Sequence, residues 1–415
     1  MTEITRKETG LPGGSESADF LTGVPPVGTE LPHPAVVLLN LLVIHQVPGV
    51  GRRRVLELVD QSPGMLSDPV GAAFWNHLER RLKLSVPHPE RQGMVRKAET
   101  TLEGAGKGDF GVLHLFGPAY PPLLKELYDP PLVLFHRGDA GLLTRPCIAV
   151  VGARKSTDYG VAVAQDLSLR LAKAGLVVVS GMALGADSSA HVGALKAGGK
   201  TVAVLGSGVD VPYPRQAAAI YRRICGEGCV VSEFPPGTWA APQNFPIRNR
   251  LISGLCLGTV IVEATERSGS LITARLALEQ GRELFAVPGP VHSPLSVGPN
   301  YLIKQGAKLV QVWQDVVEEL PAGVRDKLAY RPCTLPGEAL PEATLSGGVT
   351  NHPLTSEEKR VYNLLFFDRK VHLETLLEQA GFSAGALAGI LLKLQFDGLI
   401  LEVPGQYFIR NVRNN

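Results

Sequence analysis

The sequence predicts an α/β chain organised around a doubly wound, largely parallel sheet. Three observations carry this. Nine short apolar runs alternate with stretches of helical periodicity: Val112–Leu115, Leu132–Phe135, Ile148–Val151, Leu176–Val179, Thr201–Leu205, Cys229–Ser232, Thr259–Val262, Leu284–Val287 and Lys308–Gln311. Several are apolar at every position, as strands covered on both faces must be. Small-residue turns follow them, at the strand ends where open α/β sheets bind ligands. With 415 residues, 45% of them apolar, the chain has length for two or three domains and at least one large core.

In chain order, residues 1–33 are rich in Gly, Pro, Ser, Thr and Glu and read as a disordered tail. Residues 34–105 read as a helical domain. The turn Pro48-Gly49-Val50-Gly51 enters a helix near Arg52, the hGhG pattern of a helix–hairpin–helix. Such glycines let backbone N–H groups approach a phosphate at a helix N-terminus, so Gly49, Gly51 and Arg52 form a candidate second DNA contact. A plain αα turn that only packs is the alternative. Residues 106–320 hold the sheet. Residues 321–353, rich in Pro and Gly without periodicity, read as a flexible linker. Residues 354–413 read as three helices (Ser356–Phe367, His372–Gln379 and Ala384–Phe396, the last capped by Ser383) and a β-hairpin. That is a winged helix. Its third helix carries little positive charge, which weakens a major-groove reading and puts a protein-contact or self-association role at least level with it.

Composition narrows the function classes. Net charge is only +2, so any anion-binding site is local rather than global. Five scattered cysteines fit a reducing cytoplasm. Cys225 and Cys229 have CxxxC spacing but no second ligand pair, so no metal is expected. No apolar run reaches the ~18 residues of a membrane span, and the first residues do not read as a secretory signal.

The chemistry lies in the turns. After Ile148–Val151 comes Gly152-Ala153-Arg154-Lys155, where a dinucleotide fold carries GxGxxG. Arg154 stands at the second glycine position, and its side chain fills the space a pyrophosphate needs. The second strand also ends in Ser180-Gly181 rather than in an acidic residue. NAD and FAD are therefore disfavoured and no cofactor is expected. A guanidinium at a helix N-terminus instead suits bidentate phosphate contact. The next turn, SGMALGADSSAH, sets Asp187 and His191 one helical turn apart. A catalytic or metal pair is weighed against capping and dipole effects, and the structural reading is favoured. The Gly206-Ser207-Gly208 turn leads to Arg215 on a basic rim.

The densest stretch is PQNFPIRNRLISGL. Phe245 precedes Pro246, which biases it to an extended conformation with its ring free to stack on a base. Arg248 and Arg250 flank Asn249; one is expected on phosphate, the other on Glu263 or Asp187. Ser268-Gly269-Ser270, with Thr273, opens a further helix as a second anion seat.

Together VGARKSTDYG, SGMALGADSSAH, TVAVLGSGVDVPYP, FPIRNRLISGL and VEATERSGSLITARLALEQGRELFAVPG closely resemble the DNA-processing protein A family (DprA, also called Smf), from about Tyr120 to Val317. The resemblance implies an extended Rossmann-like central domain, between a helical N-terminal domain and a C-terminal winged helix, that binds single-stranded DNA. It implies homodimers without known catalytic activity that protect incoming strands in natural transformation and load the RecA recombinase. Single-strand-binding protein is a further candidate partner. By position, the implied DNA contacts are Arg154 and Lys155, Ser180 and Gly181, Arg215, the stacking Phe245, Arg248, Asn249 and Arg250, and Ser268, Gly269, Ser270 and Thr273. A lysine that some members place just before the FP pair has no counterpart here, where Pro242 and Gln243 stand. The alternatives are a duplex-DNA regulator acting through the winged helix and a nucleotide phosphoribohydrolase. The second lacks its PGGxGTxxE motif, since the chain reads ATERSGSLITA.

Overall fold

The computed structural model describes residues 34–66, 70–329, 354–366, 369–403 and 405–410. The tail expected over 1–33 and most of the linker expected over 321–353 lie outside these residues. The chain divides into two units, residues 1–98 and 99–415.

The first unit is helical: α1 (Pro34–Ile44), α2 (Arg52–Gln61), α3 (Ala72–Leu82) and most of α4 (His88–Gly106). In α2, Val55, Leu58 and Val59 fall on one face and are buried, the 3–4 spacing of an amphipathic helix. Phe74 and Trp75 meet edge to face in the core, with ring centroids 5.5 Å apart.

In the second unit the first two strands, β1 (Gly111–His114) and β2 (Val133–Gly138), are joined through α5 (Pro122–Lys125). Strands and helices then alternate: β3 (Cys147–Val151), α6 (Asp158–Lys173), β4 (Val177–Ser180), α7 (Ala186–Lys196), β5 (Thr201–Val204), α8 (Ala218–Glu227), β6 (Cys229–Ser232) and α9 (Asn244–Gly254). The pattern continues with β7 (Gly258–Ile261), α10 (Gly269–Glu279), β8 (Glu283–Ala286), α11 (Val297–Lys304), β9 (Lys308–Leu309), α12 (Trp313–Glu318) and α13 (Ala322–Arg325).

The nine strands form one sheet in the order β1-β2-β6-β5-β4-β3-β7-β8-β9. The run β5-β4-β3-β7-β8-β9 is the 3-2-1-4-5-6 order of a Rossmann sheet, extended by β6 in parallel beside β5. The parallel expectation fails at one edge. There β2 runs antiparallel to β6 and β1 antiparallel to β2. The cause is burial: β1 is only half-buried, and an antiparallel edge tolerates water where a parallel strand does not. The core lies between the sheet and α6–α7, where Ile148, Val178, Val260 and Phe285 meet Leu167, Leu171 and Ala190.

The linker begins later than its composition suggests. Val324 and Leu328 pack against the sheet's core, and the Ala329 amide donates to Ala174 O at 3.1 Å. Two apolar side chains outweigh the turn-like local sequence, so residues 321–329 belong to the sheet domain.

The C-terminal part has α14 (Ser356–Asn363), β10 (Val371–His372), α15 (Leu373–Ala380), α16 (Ala384–Phe396), β11 (Ile400–Val403) and β12 (Tyr407–Arg410), with sheet order β10-β12-β11. Val361, Leu365, Leu376, Leu387, Leu391 and Phe408 form its core. The first helix ends at Asn363, short of the expected 367. The second begins after His372, because that residue pairs with Tyr407 in the sheet and caps the helix through its side chain.

Candidate nucleic-acid interface

The turns after β3, β4 and β5 and the first turn of α9 meet in a cleft of about 110 Å³, lined among others by Arg154, Gly181, Gly206, Tyr213, Phe245 and Arg248. Small-molecule pockets run to ~300 Å³ and more, so this volume suits a phosphate or the edge of a base.

Phe245 is helical, not extended. It and Pro246 occupy the first turn of α9, where the amide that proline lacks has no intrahelical acceptor anyway. The half-buried Phe245 ring has Arg154 Cζ 5.2 Å and Arg248 Cζ 5.8 Å from its centroid. Tyr213 stands 5.6 Å away at an interplanar angle of 39°. Arg154 and Lys155 are exposed on the β3–α6 turn, and Arg215 is exposed just beyond Pro214.

The two arginines of FPIRNR diverge. At about 100° per residue they project some 200° apart around α9. Arg248 turns inward and is only 4% exposed. Its Nη1 donates to Gly181 O at 2.7 Å and to Val204 O, and its Nε donates to Asn249 Oδ1 at 3.3 Å. It therefore ties the ends of β4 and β5 together beneath the cleft. Burial lowers its pKa to about 10, Asp187 opposes that shift, and Arg154 adds to it. Gly181 permits the close approach: a Cβ there would lie 2.7 Å from Asp187 Oδ2 and 2.9 Å from Arg248 Nη2.

Arg250 lies outside the cleft. Its Nη2 meets Glu233 Oε2 at 2.5 Å and its Nη1 donates to Asp129 O at 2.9 Å, so the expected pairing with Asp187 or Glu263 is corrected to Glu233. Asn249 is buried and donates to Gly269 O at 3.3 Å, linking Arg248 to the Ser268–Ser270 turn. In that turn Ser268 Oγ and Ser270 Oγ bond each other at 2.7 Å and only Gly269 is exposed. Ser270 and Thr273 are buried on the inner side of α10, and the turn does not line the cleft. Ser180 is likewise internal, its hydroxyl donating to Val150 O at 2.7 Å. Gly49 and Gly51 are exposed and Arg52 half-buried on the turn into α2, in the other unit.

No hydrogen bond or ion pair joins Asp187 to His191 among the described residues. Asp187 receives the Gly152 and Ala183 amides, each at 3.4 Å. Burial raises its pKa, and Arg248 and those amides oppose the rise. His191 Nδ1 bonds Thr201 Oγ1 at 2.7 Å, away from Asp187.

The helix N-terminus at which a Rossmann fold holds pyrophosphate is already filled. Glu263, from the end of β7, accepts the Thr157 amide at 2.9 Å and the Thr157 hydroxyl at 2.5 Å, and Thr157 is the N-cap of α6. A Cβ at Gly160 would overlap that carboxylate. The expectation that this helix end attracts external anions is corrected, because the chain supplies its own. Tyr213 and Leu184 were not foreseen in the cleft. The Tyr-Pro pair before Arg215 was the signal for the first.

A family model described as DNA recombination-mediator protein A matches residues 111–321, and one described as DprA winged helix domain matches residues 349–406. DNA processing protein DprA of Streptococcus pneumoniae is 44% identical over 210 residues, 51% of this chain and 74% of that one. Its X-ray structure aligns with a TM-score of 0.58 at 33% identity, covering 70% of this chain and 99% of that one. Protein Smf of Escherichia coli is 38% identical over 295 residues, 69% of this chain and 74% of that one. DNA processing protein A of Helicobacter pylori, which has a single-stranded DNA binding mode, aligns at 31% identity over 50% of this chain with a TM-score of 0.46.

Proposed function

This chain belongs to the DNA recombination-mediator protein A family, and from that membership we propose that it binds single-stranded DNA in the Arg154–Phe245 cleft, protects incoming strands during transformation or recombination, and loads RecA onto them. In this reading it works as a homodimer in the cytoplasm, by binding alone, without cofactor, metal or chemical step. Among the described residues no single helix is long and apolar enough to cross a membrane.

One observation carries the reading: a half-buried ring at the cleft with a guanidinium 5.2 Å from its centroid. An unpaired base offers a π face to that ring and a phosphate to Arg154. A duplex keeps its bases stacked and offers only the phosphate. The duplex-regulator alternative is weakened by Lys393, the one cation of α16, which is held by Glu358 at 2.6 Å.

Gel shifts and salt titrations test this. Arg154→Ala should weaken single-strand binding by about 1.5–3 kcal/mol, roughly 10- to 150-fold. The slope of log K against log salt should shrink by less than ~1 unit, since each neutralised phosphate contributes about 0.7 for single strands. Phe245→Ala should weaken binding by about 1–3 kcal/mol with the slope unchanged, because stacking releases few counterions. If both variants bind like the parent, the cleft is not the DNA site.

A further inference from the structure

Trp239 lies on the loop between β6 and α9 with 75% of its surface exposed. An indole carries one of the largest apolar surfaces of any side chain, and leaving it in water forgoes that burial. The loop that presents it is nonetheless fixed. The Gly208 amide donates to Thr238 O at 2.8 Å, and the Gly237 amide to Asp210 Oδ1 at 2.8 Å and Oδ2 at 3.0 Å. The Thr238 hydroxyl donates to Pro235 O at 2.6 Å. Asn244 Nδ2 is shared between Gly206 O at 3.0 Å and Trp239 O at 3.4 Å. The backbone beside the indole is thus pinned to the turn after β5, whose Gly206 lines the cleft, and to the residue that precedes Phe245.

We infer that Trp239 is a second base-stacking platform for single-stranded DNA, taking a base on a strand that continues past the Phe245 cleft. The inference rests on the single-strand reading proposed above. A ring carried on a fixed backbone loses less entropy on stacking than one on a mobile loop, and a run of aromatics along a basic rim is how sequence-tolerant single-strand binders hold successive bases. Tyr213, 44% exposed beside Phe245, and the exposed Arg215 belong to the same rim.

The chain has three tryptophans. Trp75 is buried in the helical unit and Trp313 is half-buried, so Trp239 dominates any emission change caused by stacking. The test titrates the full chain with oligothymidines of about 4 to 20 nucleotides, reading tryptophan emission and affinity for the parent, Trp239→Phe and Trp239→Ala. The parent should be quenched on binding, and Trp239→Phe should bind with that quench gone. Trp239→Ala should bind long oligomers about 5- to 150-fold more weakly, with an unchanged salt slope, and should match the parent on the shortest oligomers that fill only the cleft. Parent-like affinity of Trp239→Ala at every length, or full quenching in Trp239→Phe, overturns the platform and leaves the cleft intact. Failure of the parent to bind any oligomer overturns the single-strand reading, and the platform with it.

Discussion

Arg248→Ala should lose about 3–5 kcal/mol of folding stability, the usual consequence of removing one partner of a buried charge arrangement. Two strand-end carbonyls, Gly181 O and Val204 O, lose their donor. The Asp187 carboxyl, already disfavoured in its charged form by burial, loses its opposing charge. Urea midpoints against the parent measure this. Arg248→Lys should recover little, because a point charge with three donors does not reproduce a planar fork spanning two strands. Arg154→Ala, at an exposed position, should leave the unfolding free energy within about 0.5 kcal/mol of the parent's. The two arginines nearest Phe245 are thereby separated experimentally into a brace and a ligand-facing group. An Arg248→Ala midpoint equal to the parent's would contradict the burial argument.

The second large effect is acid sensitivity from His191. Thr201 donates its hydroxyl proton to Val178 O at 2.7 Å, so the bond between Thr201 Oγ1 and His191 Nδ1 must use the imidazole proton. The ring is then the neutral Nδ1–H tautomer, and its buried Nε2 has no hydrogen-bond partner among the described residues. Burial, helped by the charge of Arg248, lowers its pKa to about 3. An unfolded histidine titrates near 6.5. Between these values the unfolded chain takes up a proton that the folded chain refuses. The contribution is therefore complete above pH ~6.5 and falls by about 1.4 kcal/mol for each pH unit toward 3. The unfolding free energy of His191→Gln, followed from about pH 7 to 4, should fall less steeply than the parent's by that amount. Parallel curves would place the titration elsewhere.

What could be read beforehand follows from the range of each interaction. The inner strands were legible because burial on both faces writes itself as a local run of apolar residues, whereas β1 is half-buried and β9 exposed. The departure from a dinucleotide turn was legible because Arg154 stands where a glycine would be required. The phase of Arg248 and Arg250 was not, since it depends on whether Phe245-Pro246 opens a helix. Proline favours extended structure in the residue before it, yet is equally at home in a helix's first turn, and the tertiary contacts of Asn244 and Arg248 decide. Glu263 was misread because its partner Thr157 lies 106 positions away and no periodicity couples them. The antiparallel edge was missed because the first half of β2, Val133–Phe135, is a buried apolar run like those of the parallel strands.

The carboxylate of Glu263 at the cap of α6 has a further consequence. A free nucleotide approaching that helix end competes with a rival tethered to the same chain, whose effective concentration does not fall on dilution. The sheet keeps the Rossmann strand order, while the helix end that holds pyrophosphate in dinucleotide-binding members of that fold is met by the chain's own carboxylate. Under the proposed function, strand binding in the neighbouring cleft would then not be coupled to nucleotide bound at that helix end.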